Sequence, residues 1–207
     1  MDATESLSAA ESLSAAESLG AQRHLVAVLQ MAKLWGAAST DGKRAAVVMV
    51  DAAAAAAAVD DVGAGWEQPP VRLAAMLRAE AARTAAALGA ALAELERLLA
   101  EMRAARERLQ LVVTEARARG AAATVESQPL CVGTPLVALL ELVDRLVAAH
   151  GRELAAKRAL ADAIGEPDAP PDAAAVALAA WLLQPALPAR RVGLWTDVLR
   201  AETGLSS

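Results

Sequence analysis

The residues that most often carry out chemistry in proteins are scarce in this chain. It contains two histidines, His24 and His150, and one cysteine, Cys131. These are too few for a zinc site of the Cys/His type, which uses four such ligands. His150 falls on a stripe of apolar residues at helical spacing, which favours a packed structural histidine over a catalytic base.

Two glycine-containing stretches have the outline of nucleotide-binding loops but lack the residues that such loops need. Between Gly36 and Gly42 lie five residues where a phosphate-binding loop has four, and Arg44 stands where a Ser or Thr must reach Mg²⁺. The stretch Val62-Gly-Ala-Gly65 lacks the third glycine and the preceding strand of a dinucleotide-binding fingerprint. We therefore expect no catalytic residue, no metal and no cofactor, and predict that the protein is not an enzyme.

Composition excludes further classes of function. The net charge of −5 gives no overall electrostatic footprint for DNA or RNA, so we expect no direct nucleic-acid binding. The most apolar run, residues 45–59, is mostly alanine and contains Asp51, and it is too short and too weakly hydrophobic to span a bilayer. Phe and Tyr are absent, so the core must consist of Leu, Val and Ala with four Trp.

The N-terminal third is predicted to hold a tail, two shorter helices and a linker. Residues 1–20 repeat a Glu-Ser-Leu-Ser-Ala-Ala unit, whose one large side chain in six cannot bury enough surface to order the segment, so it is predicted to be disordered. Helical spacing and turn residues predict helices over 21–37 and 43–59. The Gly- and Pro-rich segment 60–70 is predicted to be a linker. Its Trp66 either packs back on the helical core or is exposed as an anchor for a partner.

Two long helices are predicted in the middle of the chain, over about 71–119 and 135–164. The first carries a heptad seam that runs from Leu88 to Val113, and the second begins at Thr134-Pro135, a strong helix start after the loop 120–133. Arg106 interrupts the seam. Either its stem packs while its charge reaches water, or it sets the register of the helices or contacts a carboxylate of a partner. Short helices follow over about 172–184 and 188–203.

The predicted fold class is therefore all-α, with a long antiparallel coiled-coil-like helix pair, shorter N-terminal helices, a small C-terminal helical cap and a disordered N-terminal tail. Residues 21–207 are predicted to form a single helical domain.

Three short motifs lie near the C-terminus, in the order Arg-Glu-Leu-x-x-Lys-Arg, Trp-Leu-x-Gln-Pro and Glu-Thr-Gly. Their residues are Arg152, Glu153, Leu154, Lys157 and Arg158; Trp181, Leu182, Gln184 and Pro185; and Glu202, Thr203 and Gly204. In type, order and spacing these motifs resemble those of the cyclin-dependent kinase 2-interacting protein family. The convincing part of the resemblance covers about 55 residues, from Gly151 to Gly204. The chain departs from the family in having Thr134 where members carry Trp, and in lacking Phe and Tyr.

The resemblance implies a non-enzymatic adaptor linked to cyclin-dependent kinase and replication-origin factors and to DNA damage checkpoint signalling in the cell cycle. It also implies a subunit that acts beside AAA+ ATPases in replisome turnover and ribosome maturation. The implied location is the nucleus, with the cytoplasm left open as a second one.

Physical reasoning leaves two roles open for the motif residues. Trp181 either anchors its short helix on the long pair or is an interface hot spot, for which Trp and Arg are favoured. Lys157 and Arg158 are predicted to be exposed and to face a partner, because buried charges need partners of their own. The alternative function is a self-associating structural coiled coil that uses the seam from Leu88 to Val113.

Overall fold

The computed structural model describes residues 13–63, 71–166, 171–184 and 186–204. These residues form six helices and no strand, so the all-α prediction is confirmed. The helices are α1 (Ala15–Gly63), α2 (Val71–Ala118), α3 (Ala122–Ser127), α4 (Leu136–Gly165), α5 (Pro171–Leu183) and α6 (Ala189–Thr203). None of these helices has the combination of length and apolar character that crossing a bilayer requires.

The N-terminal third is one helix of 49 residues, so the prediction of two shorter helices is wrong. The predicted turn, residues 39–42, continues the helix, and Thr40 Oγ1 donates to the carbonyl of Gly36 one turn earlier. Packing explains the difference: Trp35, Ala38 and Ser39 are all buried. Burial on this face outweighs the roughly 1 kcal/mol by which each helical glycine disfavours the helix.

Helix α1 also begins earlier than predicted. Residues 15–20 are helical although the sequence placed them in the tail, and residues 1–12 of that tail lie outside the described residues. A capping box forms the start: Ser14 Oγ accepts the backbone N–H of Glu17, and Glu17 Oε2 accepts the backbone N–H of Ser14. Glu17 also pairs with Arg119 from the end of α2. One repeat unit is therefore ordered by a contact that lies 102 positions away in the sequence.

The predicted long pair corresponds to α2 and α4, and both also pack against α1. Arg106 of α2 pairs with Asp144 of α4, and Glu96 pairs with Arg158, so the residue numbers rise along α2 while those of the partners fall along α4. The two helices are therefore antiparallel. The seam of α2 is buried at Leu88, Leu95, Leu99, Met102, Leu109 and Val113.

The short helix α3 lies within residues 120–133, where the sequence predicted only a loop. Its Thr124 and Val125 are buried, and Val125 packs in a cluster with Leu109, Val113 and Leu136. Tertiary burial of these two side chains explains a helix that local signals did not reveal.

The described contacts group into two compact units, and the single helical domain over residues 21–207 stays a prediction. Unit 1 contains the residues up to Leu34, Leu98–Gly151 and the residues from Leu187 onward; unit 2 contains Trp35–Arg97 and Arg152–Ala186. Helix α6 therefore belongs to unit 1 and α5 to unit 2. The core of unit 1 is rich in Leu and Val. That of unit 2 is built on Ala45, Ala46, Leu88, Ile164, Ala177 and Trp181.

Candidate interaction site at the C-terminal motifs

The first motif places two charged side chains in the core of unit 2. Glu153 and Lys157 lie one turn apart on the same side of α4, and both are completely buried. Lys157 Nζ lies 3.2 Å from Glu153 Oε1, which suits a Glu–Lys pair at i,i+4. The prediction that Lys157 is exposed and faces a partner is therefore wrong.

Trp181 of the second motif supplies a ring and a carbonyl group that stabilise the buried ammonium group of Lys157. Lys157 Nζ lies 4.4 Å from the centre of the Trp181 ring and donates a hydrogen bond of 3.5 Å to the Trp181 carbonyl, at the end of α5. The ring face attracts the cation, and the carbonyl accepts one of its protons. Burial lowers the pKa of Lys157, and the carboxylate of Glu153 offsets part of that effect.

The segment that follows α5 is held by the same carboxylate. Glu153 Oε2 accepts the backbone N–H of Ala186 at 3.1 Å. Gln184 has a φ of 46°, a left-handed conformation that ends the helix, and its Nε2 donates to Ser39 Oγ at 2.9 Å. Pro185 lies outside the described residues. The motif thus fixes the direction in which the chain leaves α5.

Trp181 is 1% exposed, and its core role is favoured over that of an exposed hot spot. A Cβ atom built on Gly42 of α1 would lie 3.0 Å from Trp181 Cζ2 and 3.3 Å from the Ala91 Cβ. Only a glycine lets the ring approach the α1 backbone so closely. Ser39, Gly42 and Ala186 therefore take part in the site although the sequence did not single them out. Gly42 could have been found as a glycine inside a helical pattern, which often marks close packing.

Glu202 of the third motif holds the loop before α4 in unit 1 by hydrogen bonds. Glu202 is 4% exposed and accepts backbone N–H groups from Val132 at 2.9 Å, Gly133 at 2.9 Å and Thr134 at 2.7 Å. Burial acts to raise the pKa of Glu202, but hydrogen bonds from these three residues together outweigh it and hold the pKa below its ordinary value. The carboxylate therefore ties α6 to the segment that leads into α4.

The other two residues of the third motif finish α6. Thr203 Oγ1 donates to the Leu199 carbonyl one turn earlier. Gly204 has a φ of 68° and is the C-cap of the helix. The left-handed conformation suits glycine, as the sequence predicted. All three residues thus contribute to the helix end or to its attachment.

Four of the described motif residues are exposed, and one of them is the helix-ending Gly204. Arg152 and Leu182 are both accessible, and Arg158 is accessible while paired with Glu96. Leu154 is 5% exposed and belongs to the core. The structure brings the first and second motifs into contact within unit 2, whereas the third motif lies in unit 1.

No group of three or more His, Cys, Asp or Glu side chains suitable for a metal ion occurs among the described residues. His150 is 2% exposed, and its Nδ1 lies 2.8 Å from the Leu146 carbonyl one turn earlier, which confirms the packed histidine.

No family model matches this chain, and no curated protein matches it significantly. The likeness to the cyclin-dependent kinase 2-interacting protein family therefore rests on the motif residues and on their arrangement.

Proposed function

We propose that this chain is a non-enzymatic adaptor subunit of the kind that the cyclin-dependent kinase 2-interacting protein family represents. The observation that carries the proposal is the contact between the first two motifs. Lys157 of the first motif lies against the ring and the carbonyl of Trp181 of the second. Glu153 of the first motif accepts the N–H group of Ala186, just beyond the second.

This contact supports the resemblance because it gives the paired motifs a physical reason to occur together. A buried lysine is tolerated only where a carboxylate and further polar or aromatic partners surround it. Removing the second motif would take from Lys157 the ring and the carbonyl that lie against it, and removing the first would take the lysine from the Trp181 carbonyl. The residues of the two motifs thus form a single contact that attaches α5 to α4. The two motifs are therefore not independent matches of short sequences.

The adaptor role assigns to the protein the partners that the resemblance implies. These are subunits of an AAA+ ATPase acting in replisome turnover and ribosome maturation, together with cyclin-dependent kinase and replication factors, in the nucleus. Because five of the twelve motif residues are buried, a partner would contact the exposed ones. Arg152 is the best candidate, since it stands next to the buried pair and is accessible.

Affinity purification of the tagged full chain tests this proposal. We expect the wild type to recover AAA+ ATPase subunits with replication or ribosome-assembly factors. The variant Arg152→Glu should recover less of them. Arg72→Glu, the same change at an exposed arginine of α2 outside the motifs, serves as the matched control. Recovery of neither class of protein by the wild type would overturn the proposal.

The alternative function, a coiled coil that self-associates through the seam of α2, is not favoured. Six seam residues are at most 3% exposed, namely Leu88, Leu95, Leu99, Met102, Leu109 and Val113, and Leu92 and Arg106 are partly buried. Leu109 and Val113 pack with Leu25 and Val28 of α1 and with Val143 of α4. A second copy could reach this seam only if these helices separated.

A further inference from the structure

We propose that Ser14, at the start of α1, is a phosphorylation site and that Arg119, just beyond the end of α2, binds the phosphate. The enzyme that fits this site is a protein kinase that selects serines by a nearby carboxylate, here that of Glu17. All three residues belong to unit 1 and lie outside the three C-terminal motifs. The proposal therefore does not depend on the adaptor function.

The Ser14 hydroxyl is open to an approaching enzyme. Ser14 is exposed and directly precedes Ala15, the first residue of α1. Because helix ends fray, the first turn can open transiently around this serine. Ser18, the next serine along the chain, lies inside the helix and is only partly exposed. Of these two serines, Ser14 is therefore the one that a kinase can reach.

Glu17 gives Ser14 the sequence context that acid-directed kinases use. These enzymes recognise a serine by a carboxylate at the third position after it, which is where Glu17 stands. Among the other serines of the repeat, Ser8 shares this context through Glu11. Alanine occupies the third position after Ser6, Ser12 and Ser18. The context thus separates Ser14 from most of its neighbours.

Phosphorylation exchanges a hydrogen-bond donor for a strongly negative acceptor. Ser14 Oγ donates to Glu17 Oε2 at 2.8 Å in the unmodified chain. The reaction forms a bond between Oγ and the terminal phosphorus of a nucleoside triphosphate and breaks the bond from that phosphorus to its bridging oxygen. The nucleoside diphosphate leaves, and the hydroxyl proton passes to the catalytic base of the kinase. The product carries about −1.5 to −2 charges at neutral pH, so it repels the carboxylate of Glu17.

Arg119 is placed to bind the phosphate once that carboxylate is displaced. Arg119 pairs with Glu17 Oε1, and Ser14 Oγ contacts Oε2 of the same carboxylate. The guanidinium and the serine hydroxyl therefore lie on the two oxygens of one carboxylate. A guanidinium binds phosphate through two parallel N–H bonds. Because the phosphate carries more charge than a carboxylate, it is the stronger partner for Arg119.

The first turn of α1 supplies a further donor. Ser14 Oγ accepts the backbone N–H of Glu17 at 3.2 Å, and a phosphate on the same side chain has oxygens that can accept it. Negative charge at a helix N-terminus is also favoured by the helix dipole. A phosphate at a helix N-terminus opposite an arginine orders the segment that carries it. We therefore expect phosphorylation to hold the start of α1 to the end of α2 more tightly.

Phosphorylation of the full chain in vitro tests the site. A Ser8→Ala chain, which removes the second serine of the same context, is incubated with an acid-directed serine kinase, ATP and Mg²⁺. Mass spectrometry locates the phosphate, which we expect on Ser14 and not on Ser18. Adding Glu17→Gln should slow the modification by about tenfold or more. Adding Glu141→Gln, at an exposed carboxylate elsewhere, should leave the rate unchanged.

Amide hydrogen exchange tests the role of Arg119. The backbone N–H groups of Glu17 and Ser18 donate to the Ser14 carbonyl in the first turn. We expect phosphorylation of Ser14 to slow the exchange of these two groups by about tenfold, because the first turn opens less often. In Arg119→Gln the slowing should fall to about twofold or less. Arg72→Gln, at an exposed arginine of α2, should keep the full effect.

Three results would overturn the proposal. The first is a chain that acquires no phosphate on Ser14. The second is an equal rate of modification with and without Glu17→Gln, which would show that the carboxylate does not select the site. The third is a slowing of exchange that persists in Arg119→Gln or is absent in the unsubstituted chain, since the phosphate is then not bound by Arg119.

Discussion

At the scale of single residues, unit 2 is organised around a buried ion pair. Glu153 and Lys157 have no exposed surface, and together they hold Trp181 and Ala186 in place. Such a pair contributes little net stability compared with apolar side chains of equal size, but it is costly to break. Its value lies in geometry, because it fixes how α5 and the segment after it attach to α4.

Replacing Lys157 with methionine should destabilise the protein by about 3–5 kcal/mol, since Glu153 is then a buried charge without its partner. The double variant Glu153→Gln/Lys157→Met should recover most of that loss, because the glutamine is neutral and can still accept the N–H group of Ala186. Urea unfolding measures both effects. Arg158→Met removes an exposed pair with Glu96 and should change stability by less than about 1 kcal/mol. Equal losses for Lys157→Met and Arg158→Met would contradict the buried-pair account.

Two glutamates make stability depend on acid pH. The hydrogen bond from Arg119 is the main cause that lowers the pKa of Glu17 to about 2, and the pKa of Glu202 is also lowered from 4.5. A carboxylate whose pKa is depressed on folding stabilises the protein above its unfolded pKa. The stabilisation is lost as the pH falls through the folded value. We therefore expect the free energy of unfolding to fall as the pH drops below about 4.5 toward 2.

The variants Glu17→Gln and Glu202→Gln identify the source of this dependence. Each should be less stable than the wild type at neutral pH, and the difference should shrink as the pH falls through the acid range. Glu141→Gln, at an exposed carboxylate, should keep the full acid dependence of the wild type. Unfolding curves at a series of pH values provide the measurement. A constant difference from the wild type at every pH would rule out Glu17 and Glu202 as the cause.

At the scale of elements, α1 shows how packing decides whether a glycine interrupts a helix. Gly36 and Gly42 lie in the same helix but have different surroundings. A Cβ at Gly36 would have nothing within 4 Å, whereas a Cβ at Gly42 would press on Trp181 and Ala91. The Trp181 ring cannot easily move, since Lys157 lies over it.

Alanine at the two positions should therefore have opposite effects. Gly36→Ala should stabilise the protein by about 0.5–1 kcal/mol, because alanine favours the helix and meets no neighbour. Gly42→Ala gains the same helix propensity but overpacks the core, which typically costs about 1–3 kcal/mol, so we expect net destabilisation. Thermal unfolding of the two variants side by side measures the difference in sign. If both substitutions stabilise the protein, the close approach of Trp181 to α1 is not part of the fold.

At the scale of the whole molecule, the heptad seam of α2 belongs to the interior of the chain. Leu109 is 1% exposed and packs with residues of α1 and α4, whereas Leu111, two residues further on, is 57% exposed. Leu109→Ala should destabilise the protein by about 2–5 kcal/mol. Leu111→Ala should change stability by no more than about 0.5 kcal/mol.

The loss caused by Leu109→Ala should also be the same at low and high protein concentration. An interface between chains makes apparent stability depend on concentration, and an interior contact does not. Denaturant unfolding at two protein concentrations well apart distinguishes the two cases. A loss that grows as the protein is diluted would show that the seam is an interface after all.

The amino-acid sequence by itself determined the helical class, the extent of α2 and α4 and the ends of α5 and α6. Their periodicity, their glycines and the proline at position 135 act locally, within a few residues of where they stand. The three motifs could also be found in the sequence, together with the role of Gly204 at the end of its helix, but the burial of Lys157 could not. Lys157 was expected on the surface because a lysine is normally solvated. The Trp181 ring that covers it lies 24 positions away in the sequence, so no residue near Lys157 indicates the contact.

What the tertiary structure decided depends on contacts between distant residues. It joined the two predicted N-terminal helices into α1, because the burial of one continuous face outweighs two helical glycines. It started that helix at Ala15, where Arg119 meets Glu17, and it formed α3 around two buried side chains. It also placed α5 and α6 in different units, since Glu153 and Lys157 hold one and Glu202 ties down the other. Local propensities are worth a few tenths of a kcal/mol per residue, and burial of a side chain is worth several times more.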